Sequence, residues 1–191
     1  MEPIINIHTH RLREGELTPC CEGIHPWEAE RWRGEPPTLS AACEAVGEIG
    51  LDYARAVDRL RQEELFRVQL ALASAHNLPV VLHCVKAFEP AMKILADYRL
   101  CAVIFHGFIG SWQQAEKAIA RGYYLSFGER SLCSPRTVEA MRRIPAERLF
   151  FESDESETPI REIYRKAADI LGVEIAELEQ ITWCNFKRIF R

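Results

Sequence analysis

Short apolar runs alternate with helix-like segments along most of the chain. The runs are almost continuously apolar, a pattern typical of strands that are covered on both faces. The strict alternation of strand and helix indicates a parallel sheet with helices outside it. The sequence predicts seven strands, at residues 4–7, 20–25, 45–51, 79–83, 102–105, 123–127 and 149–151.

The segments between these runs carry helix start and stop signals. Residues 58–76 have apolar positions at helical spacing and end at an Asn-Leu-Pro sequence. Ser111 is suited to N-cap the helix that follows it. Ser134 and Thr158 each precede a proline, which favours an N-cap followed by proline at the first helical position. Two helical stretches, split near Gly172, complete the predicted elements.

The composition is that of an ordinary globular protein. The chain has 191 residues, 48% hydrophobic and 27% charged, with a net charge of -4. We expect one domain over residues 1–191. The charge gives no general attraction to nucleic acid or to an anionic membrane.

Cellular location is predicted from what the sequence lacks. Met1–Ile4 has no secretory character and no apolar run approaches the length of a membrane span. The seven cysteines include no C-x-x-C pair and fit free thiols in a reducing compartment. We therefore expect a cytoplasmic protein without a membrane partner.

Five of the six histidines lie at or just after the predicted end of a strand. In α/β barrels this end carries the active site, because the loops there converge. His8 and His10 are two positions apart, so on a strand both rings point to one face and can reach one ion. Alone, such a pair is as consistent with a structural role as with metal binding.

The other candidates also have ordinary readings when each is taken alone. Glu48 lies in an apolar strand, where a carboxylate needs either a cation or an ion-pair partner. His83 and His106 each end an apolar strand, which equally fits a buried core histidine. Asp154 follows another strand, which also fits a helix cap.

Together, however, these residues form a constellation. Four histidines and two carboxylates occupy equivalent strand ends, and their side chains are ligands suited to zinc, manganese, nickel or magnesium. The sequence therefore predicts a divalent-metal site. Its six ligands are His8, His10, Glu48, His83, His106 and Asp154.

Motifs spread over nearly the whole chain resemble the TatD-like metal-dependent hydrolases, a branch of the amidohydrolase-type barrels. The resemblance follows the family's order of motifs. It rests on His8-Thr9-His10, Gly23–Pro26, Gly47–Tyr53, the Gln62, Phe66 and Gln69 pattern, Pro79–His83, His106–Ser111, Glu152–Asp154 and Asn185–Phe190.

The resemblance implies a TIM-type barrel and two divalent metal ions. His8, His10 and Asp154 would bind one ion, His83 and His106 the other, and Glu48 would bridge them. Two such ions can polarise a scissile group and lower the pKa of a bound water. Asp154 would then be the base that accepts the proton of that water.

The resemblance also implies phosphodiester hydrolysis, often of DNA. Two readings remain beside it: hydrolysis of a small ester or amide, and a metal-binding barrel without catalysis. The acidic pI favours the small substrate, as does Val85-Lys86 where the family usually has arginine and aspartate. Glu155-Ser156 also replaces the family's usual alanine and proline.

Four further residues are candidates for contact with a small-molecule or nucleic-acid phosphoester. Lys86 follows the strand that ends at His83 and can meet an anion. His25 is assigned to substrate rather than to metal. Trp27 and Tyr53 follow strand ends and fit either stacking on substrate or packing over the barrel mouth.

The barrel is expected to be truncated or distorted. Residues 11–22 replace a helix, a strand and a further helix of the family, and should form a loop. A complete barrel of eight strands takes about 250 residues. We therefore expect seven strands. After the first of them the barrel either closes with an irregular seam or stays open with its edge covered by another surface, and such an edge favours a homodimer.

Overall fold

The computed structural model describes residues 3–190, which form an α/β fold with parallel strand pairs. Contacts divide the described residues into a central unit, residues 19–105, and a terminal unit, residues 3–18 and 106–190. The predicted single domain also covers Met1, Glu2 and Arg191, which lie outside the described residues.

The central unit has four parallel strands in sequence order, with helices in the connections. The strands are β3 (Cys21–Glu22), β4 (Ala45–Asp52), β5 (Val80–Val85) and β6 (Val103–Phe105). The helices are α1 (Arg59–His76), α2 (Phe88–Leu95) and a short 3-10 helix at Pro26–Glu28. Four of the predicted strands are thus confirmed, with bounds shifted by a few residues.

The terminal unit combines both ends of the chain in one fold. Its strands are β1 (Ile4–Ile5), β2 (Glu16–Leu17), β7 (Tyr124–Phe127) and β8 (Leu149–Phe151), paired in parallel as β1 with β2 and β7 with β8. Its helices are α3 (Trp112–Ala120), α4 (Glu129–Leu132), α5 (Pro135–Met141), α6 (Ile160–Leu171), α7 (Ile175–Ile189) and a 3-10 helix at Ala146–Arg148.

The helix caps follow from side chains that satisfy the first backbone N–H groups. Ser111 accepts a hydrogen bond from Gln114 and takes part in a capping box, and Ser134 caps α5 as predicted. Gly172 ends α6 in the left-handed conformation (φ 70°). The prediction for Thr158 was one position early, because α6 begins at Ile160 and its N-cap is Pro159.

Within residues 3–190, one strand was not predicted from the sequence. Glu16 and Leu17 pair with β1 inside the segment that was expected to be a loop. The side-chain amide of Asn6 donates to Glu16 Oε2 at 2.7 Å, and the Asn6 N–H donates to the Leu17 carbonyl at 3.0 Å. Two residues are too few to show an alternating pattern, so only these contacts reveal the strand.

Strand β4, which carries Glu48, contains a β-bulge. The register between β4 and β5 shifts between the pairs Val46–Val80 and Ile49–Leu82. An extra residue of this kind bends a strand and redirects a side chain, commonly beside an active site. Glu48 lies inside this irregularity, so the bulge decides where its carboxylate points.

Tyr164 anchors helix α6 to β1 within the core of the terminal unit. Its ring is fully buried against Phe151, with ring centroids 4.8 Å apart. Its hydroxyl donates to the Ile5 carbonyl at 2.8 Å and lies 2.8 Å from Thr182 Oγ1. Burial raises the pKa of Tyr164, which therefore stays neutral and continues to donate.

We expect Tyr164→Phe to lower the free energy of unfolding by about 1–3 kcal/mol, because the buried Ile5 carbonyl loses its partner while ring packing is kept. Urea denaturation of both proteins measures the change. An unchanged transition midpoint would show that this hydrogen bond contributes nothing to stability.

The structure also bears on the predicted free thiols and on the predicted lack of a membrane span. All seven cysteines are free thiols, and burial raises the pKa of Cys21 and Cys84 to about 12. These two are therefore poor nucleophiles at neutral pH. Within residues 3–190, every helix is too short or too polar to cross a bilayer.

Candidate metal centre

In the central unit, strands β4 and β5 bring a carboxylate and an imidazole together. Gly50 of β4 pairs with His83 of β5. Glu48 lies two positions before Gly50 on β4, and its side chain reaches the same histidine. Glu48 Oε2 lies 3.5 Å from His83 Nδ1, and both side chains are largely buried. Two ligands about 2.1 Å from a tetrahedral ion are roughly 3.4 Å apart, so this spacing suits a shared metal ion.

His25 lies against the same pair. Its ring centroid is 4.5 Å from that of His83, and its Nε2 is 3.9 Å from Glu48 Oε2. Its Nδ1 accepts the Trp27 backbone N–H at 3.3 Å, as the N-cap of the 3-10 helix. A neutral His25 then carries its proton on Nε2, facing Glu48 as a donor, so it suits a polar contact better than metal ligation.

Asp52 is a buried carboxylate that the sequence indicated only as part of a motif. Its Oδ2 accepts the Trp27 indole N–H at 2.7 Å and lies 3.1 Å from His83 Nε2. Its Oδ1 accepts the Ala54 N–H at 3.0 Å. Burial raises the pKa of Asp52, but the hydrogen bonds from Trp27 and His83 outweigh it and hold the pKa below its ordinary value.

Two glutamines of α1 fix the loops that carry these residues. Gln62 accepts the Asp52 N–H at 2.7 Å and donates to the Asp52 carbonyl at 3.1 Å. Gln69 accepts the Ile24 N–H at 2.6 Å and donates to the Ile24 carbonyl at 2.9 Å. Both glutamines are fully buried, so one helix holds the backbone just after β3 and at the end of β4.

The predicted substrate residues of the central unit differ in exposure. Trp27 is 41% exposed, and the Arg55 guanidinium lies 4.1 Å from its ring centroid. The Tyr53 hydroxyl donates to Glu63 at 2.5 Å, and burial together with that bond raises its pKa. Lys86 is exposed just after β5, with a left-handed backbone (φ 51°).

In the terminal unit, the chain after β1 runs beside the chain after β8. The Asp154 N–H donates to the His8 carbonyl, and the His10 N–H donates to the Asp154 carbonyl, both at 3.1 Å. This places Asp154 Oδ1 3.7 Å from His8 Nε2 and 3.5 Å from His10 Nε2. Both histidines therefore lie close to the Asp154 carboxylate, in the grouping that the family resemblance implies.

A hydrogen-bonded group of small polar side chains holds that junction. Asn6 Oδ1 accepts the Ser153 N–H at 2.9 Å, and Asn6 Nδ2 donates to Ser153 Oγ at 2.8 Å. Ser153 Oγ in turn donates to Thr9 Oγ1 at 2.9 Å. The residues between the candidate ligands therefore tie the two chain segments together.

His106 joins this group from the start of the loop after β6. Its ring centroid lies 4.7 Å from that of His8. Its Nδ1 is 3.3 Å from Oε1 of Glu152, whose side chain is completely buried. The sequence indicated Glu152 only as part of a motif, although the cost of burying a carboxylate in an apolar strand could have identified it.

The donor sets fit divalent metal ions. His8, His106 and Asp154 offer one ligand atom each within 4.8 Å of one another. Glu48 and His83 do so as well, together with His25, whose tautomer favours a polar contact over ligation. Among the described residues, Glu152 Oε2 is buried without a hydrogen-bond partner, as expected beside an ion or a bound water. Histidine with carboxylate is a ligand set suited to Zn²⁺ and its neighbours in the first transition row.

An α/β fold with histidines and carboxylates grouped at strand ends is that of a metal-dependent hydrolase of the barrel type. Residues 6–191 match the family model described as TatD related DNase. The chain therefore belongs to this family, and the prediction of a TatD-like metal-dependent hydrolase is confirmed.

Curated relatives agree with this assignment. The chain is 32% identical over 198 residues to the 3'-5' ssDNA/RNA exonuclease TatD of Erwinia tasmaniensis, covering 88% of this chain and 76% of the relative. It is 32% identical over 167 residues to the uncharacterized metal-dependent hydrolase YabD of Bacillus subtilis, covering 77% of this chain and 65% of the relative. The match to YabD thus spans slightly less than two thirds of that relative.

A solved structure supports the fold. The TatD homologue YJJV of Escherichia coli K12 superposes with a TM-score of 0.81 at 23% identity, covering 99% of this chain and 86% of the other. The predicted TIM-type barrel class is therefore confirmed.

Proposed function

We propose that the protein hydrolyses phosphodiester bonds of single-stranded DNA or RNA from a chain end, with a water molecule activated by divalent metal ions. The observation that carries the proposal is the pair of histidine–carboxylate clusters, one in each unit. The relatives named as 3'-5' single-strand exonucleases give the substrate class. Bound divalent ions supply a Lewis acid and lower the pKa of a bound water.

The chain's own residues would position the reactants. Asp154 projects from the junction of two chain segments and is one-third exposed, so its carboxylate can orient a water and accept its proton. His8 and His10 flank that carboxylate. The resemblance assigns one ion to His8, His10 and Asp154, a second to His83 and His106, and Glu48 to both; this grouping and the number of ions stay predictions.

Four residues are proposed to bind the substrate. The exposed face of Trp27, backed by Arg55, offers a surface for stacking a base, and stacking is worth about 1–3 kcal/mol per base. Tyr53 and His25 are partly buried near the same loops. Lys86 would contribute a single positive charge to a phosphate, without the bidentate contact that arginine makes.

The test combines metal analysis with degradation of labelled oligonucleotides. Elemental analysis of the purified protein should find a divalent metal. Single-stranded DNA labelled at its 5' end should give a ladder of products shortened from the 3' end. Stripping the metal with a chelator should reduce cleavage to background, and Mn²⁺, Zn²⁺, Ni²⁺ or Mg²⁺ should restore it.

Substrates of other classes serve as controls. Duplex DNA of the same sequence, a small phosphodiester and small carboxylic esters are assayed in parallel. Cleavage of the small esters alone would replace the nuclease proposal with a small-molecule hydrolase. Bound metal without turnover on any substrate would indicate a binding protein, and absence of metal would overturn the proposal.

The homodimer and the cytoplasmic location stay predictions. Sedimentation equilibrium of the purified chain tests the dimer, and fractionation of cells that express the full chain tests the location.

A further inference from the structure

We propose that Asp52 is a positioning residue for His83: it fixes the imidazole in the form that leaves Nδ1 unprotonated toward Glu48. The inference rests on the proposed metal-dependent function, since His83 matters here as a ligand. It assigns a role to a side chain outside both the predicted ligand set and the predicted substrate residues.

The geometry places His83 between two carboxylates. Nε2 of its ring lies 3.1 Å from Asp52 Oδ2, and Nδ1 lies 3.5 Å from Glu48 Oε2. The first distance is that of a hydrogen bond, whereas the second is the spacing of two ligands of one ion. The two ring nitrogens therefore have different tasks, and each carboxylate serves one of them.

The chemistry of the partners decides which nitrogen carries the proton. An ionised carboxylate only accepts hydrogen bonds, so Asp52 requires a proton on His83 Nε2. In a neutral ring Nδ1 then holds a lone pair directed toward Glu48. Metal-binding histidines commonly donate their other ring N–H to a carboxylate in this way.

Asp52 itself is held rigidly, which is what a positioning residue needs. Its Oδ2 also accepts the Trp27 indole N–H, and its Oδ1 accepts the Ala54 N–H. The side chain is only 4% exposed. Buried Gln62 binds both the N–H and the carbonyl of Asp52, so side chain and backbone are both fixed.

Replacement by asparagine tests the role with little change of shape. The carboxylate of Asp52 serves three donors with two acceptor oxygens, whereas an amide has one oxygen and adds an N–H₂ donor. In either orientation of the asparagine side chain, its N–H₂ group faces at least one of these donors and cannot accept a hydrogen bond from it. In Asp52→Asn the preference of His83 for a proton on Nε2 should weaken.

The first measurement is metal affinity of the full chain. Wild type and Asp52→Asn are stripped, then titrated with Mn²⁺ or Co²⁺ in competition with a chelator of known affinity. We expect about 10–100-fold weaker binding at one site, the usual effect of removing such a partner. Asp97→Asn, the same exchange at a surface pair with Arg67, is the matched control and should bind like wild type.

The second measurement reads the histidine directly. ¹⁵N-histidine NMR of the metal-free protein distinguishes a proton on Nε2 from one on Nδ1, and the His83 signal is identified by its absence in His83→Gln. Wild type should show the Nε2–H form, and Asp52→Asn should show a larger share of Nδ1–H. A merely structural role would leave this ratio unchanged.

A further variant decides the question if Asp52→Asn does not fold. Trp27→Phe keeps the carboxylate but removes the indole N–H that orients it, and should weaken metal binding measurably, though by less than about tenfold. Unchanged affinity in the folded variants would overturn the role of Asp52 while leaving the proposed function intact. Failure of wild type to bind metal would overturn both.

Discussion

Asp154→Asn is expected to reduce turnover of a phosphodiester by about 10²–10⁴-fold, the usual contribution of a general acid or base. Asparagine cannot accept the proton of the attacking water, and it holds a cation more weakly. The fold should survive, since Asp154 has a left-handed backbone (φ 51°) that asparagine tolerates well, and its backbone hydrogen bonds to the His8 and His10 segment do not involve the carboxylate.

The measurement is kcat on a labelled oligonucleotide at saturating metal, with thermal unfolding of both proteins as a check on folding. Asp169→Asn, an exposed position on α6 in the same unit, is the matched control and should retain full activity. Turnover within threefold of wild type in Asp154→Asn would show that this carboxylate is not the base.

Gly50→Ala should destabilise the protein by about 2–6 kcal/mol, the sum of two effects of about 1–3 kcal/mol each. Gly50 has a φ of 141°, which side-chain-bearing residues rarely adopt. An added Cβ would also lie 2.1 Å from the His83 carbonyl oxygen, so strand β5 would have to move away from β4. Because Glu48 and His83 lie on these two strands, metal affinity should fall with stability.

Chemical denaturation measures the loss, and Gly34→Ala separates its two causes. Gly34, in the same unit, has a φ of 98° but nothing within 4 Å of an added Cβ, so its substitution adds only the backbone strain. If both variants lost the same free energy, close strand approach at Gly50 would not be the reason for glycine there.

The two candidate clusters have one contact in common. In each, a histidine at a strand end contacts a buried carboxylate through one ring nitrogen: His83 with Asp52, and His106 with Glu152. Such contacts orient a ring before an ion binds, which reduces the ordering needed at that moment.

The sequence by itself determined the elements and the identity of most candidate ligands. Apolar runs and capping residues act locally, so β4 to β8 and the caps at Ser111 and Ser134 could be read from neighbouring residues. Since parallel strands end at a common edge, residues placed after strands could be grouped without coordinates. His8 and His10 each lie within 4 Å of Asp154 in the terminal unit, and their assignment to one ion stays a prediction.

Only the tertiary structure decided the partners of those ligands. Asp52 meets His83 because of the shifted register between β4 and β5, which depends on a bulge that no local pattern reveals. Strand Glu16–Leu17 likewise exists through contacts with Asn6 and β1 rather than through its own sequence. Periodicity reports which face of an element is buried, whereas register and side-chain pairing depend on contacts between residues distant in sequence.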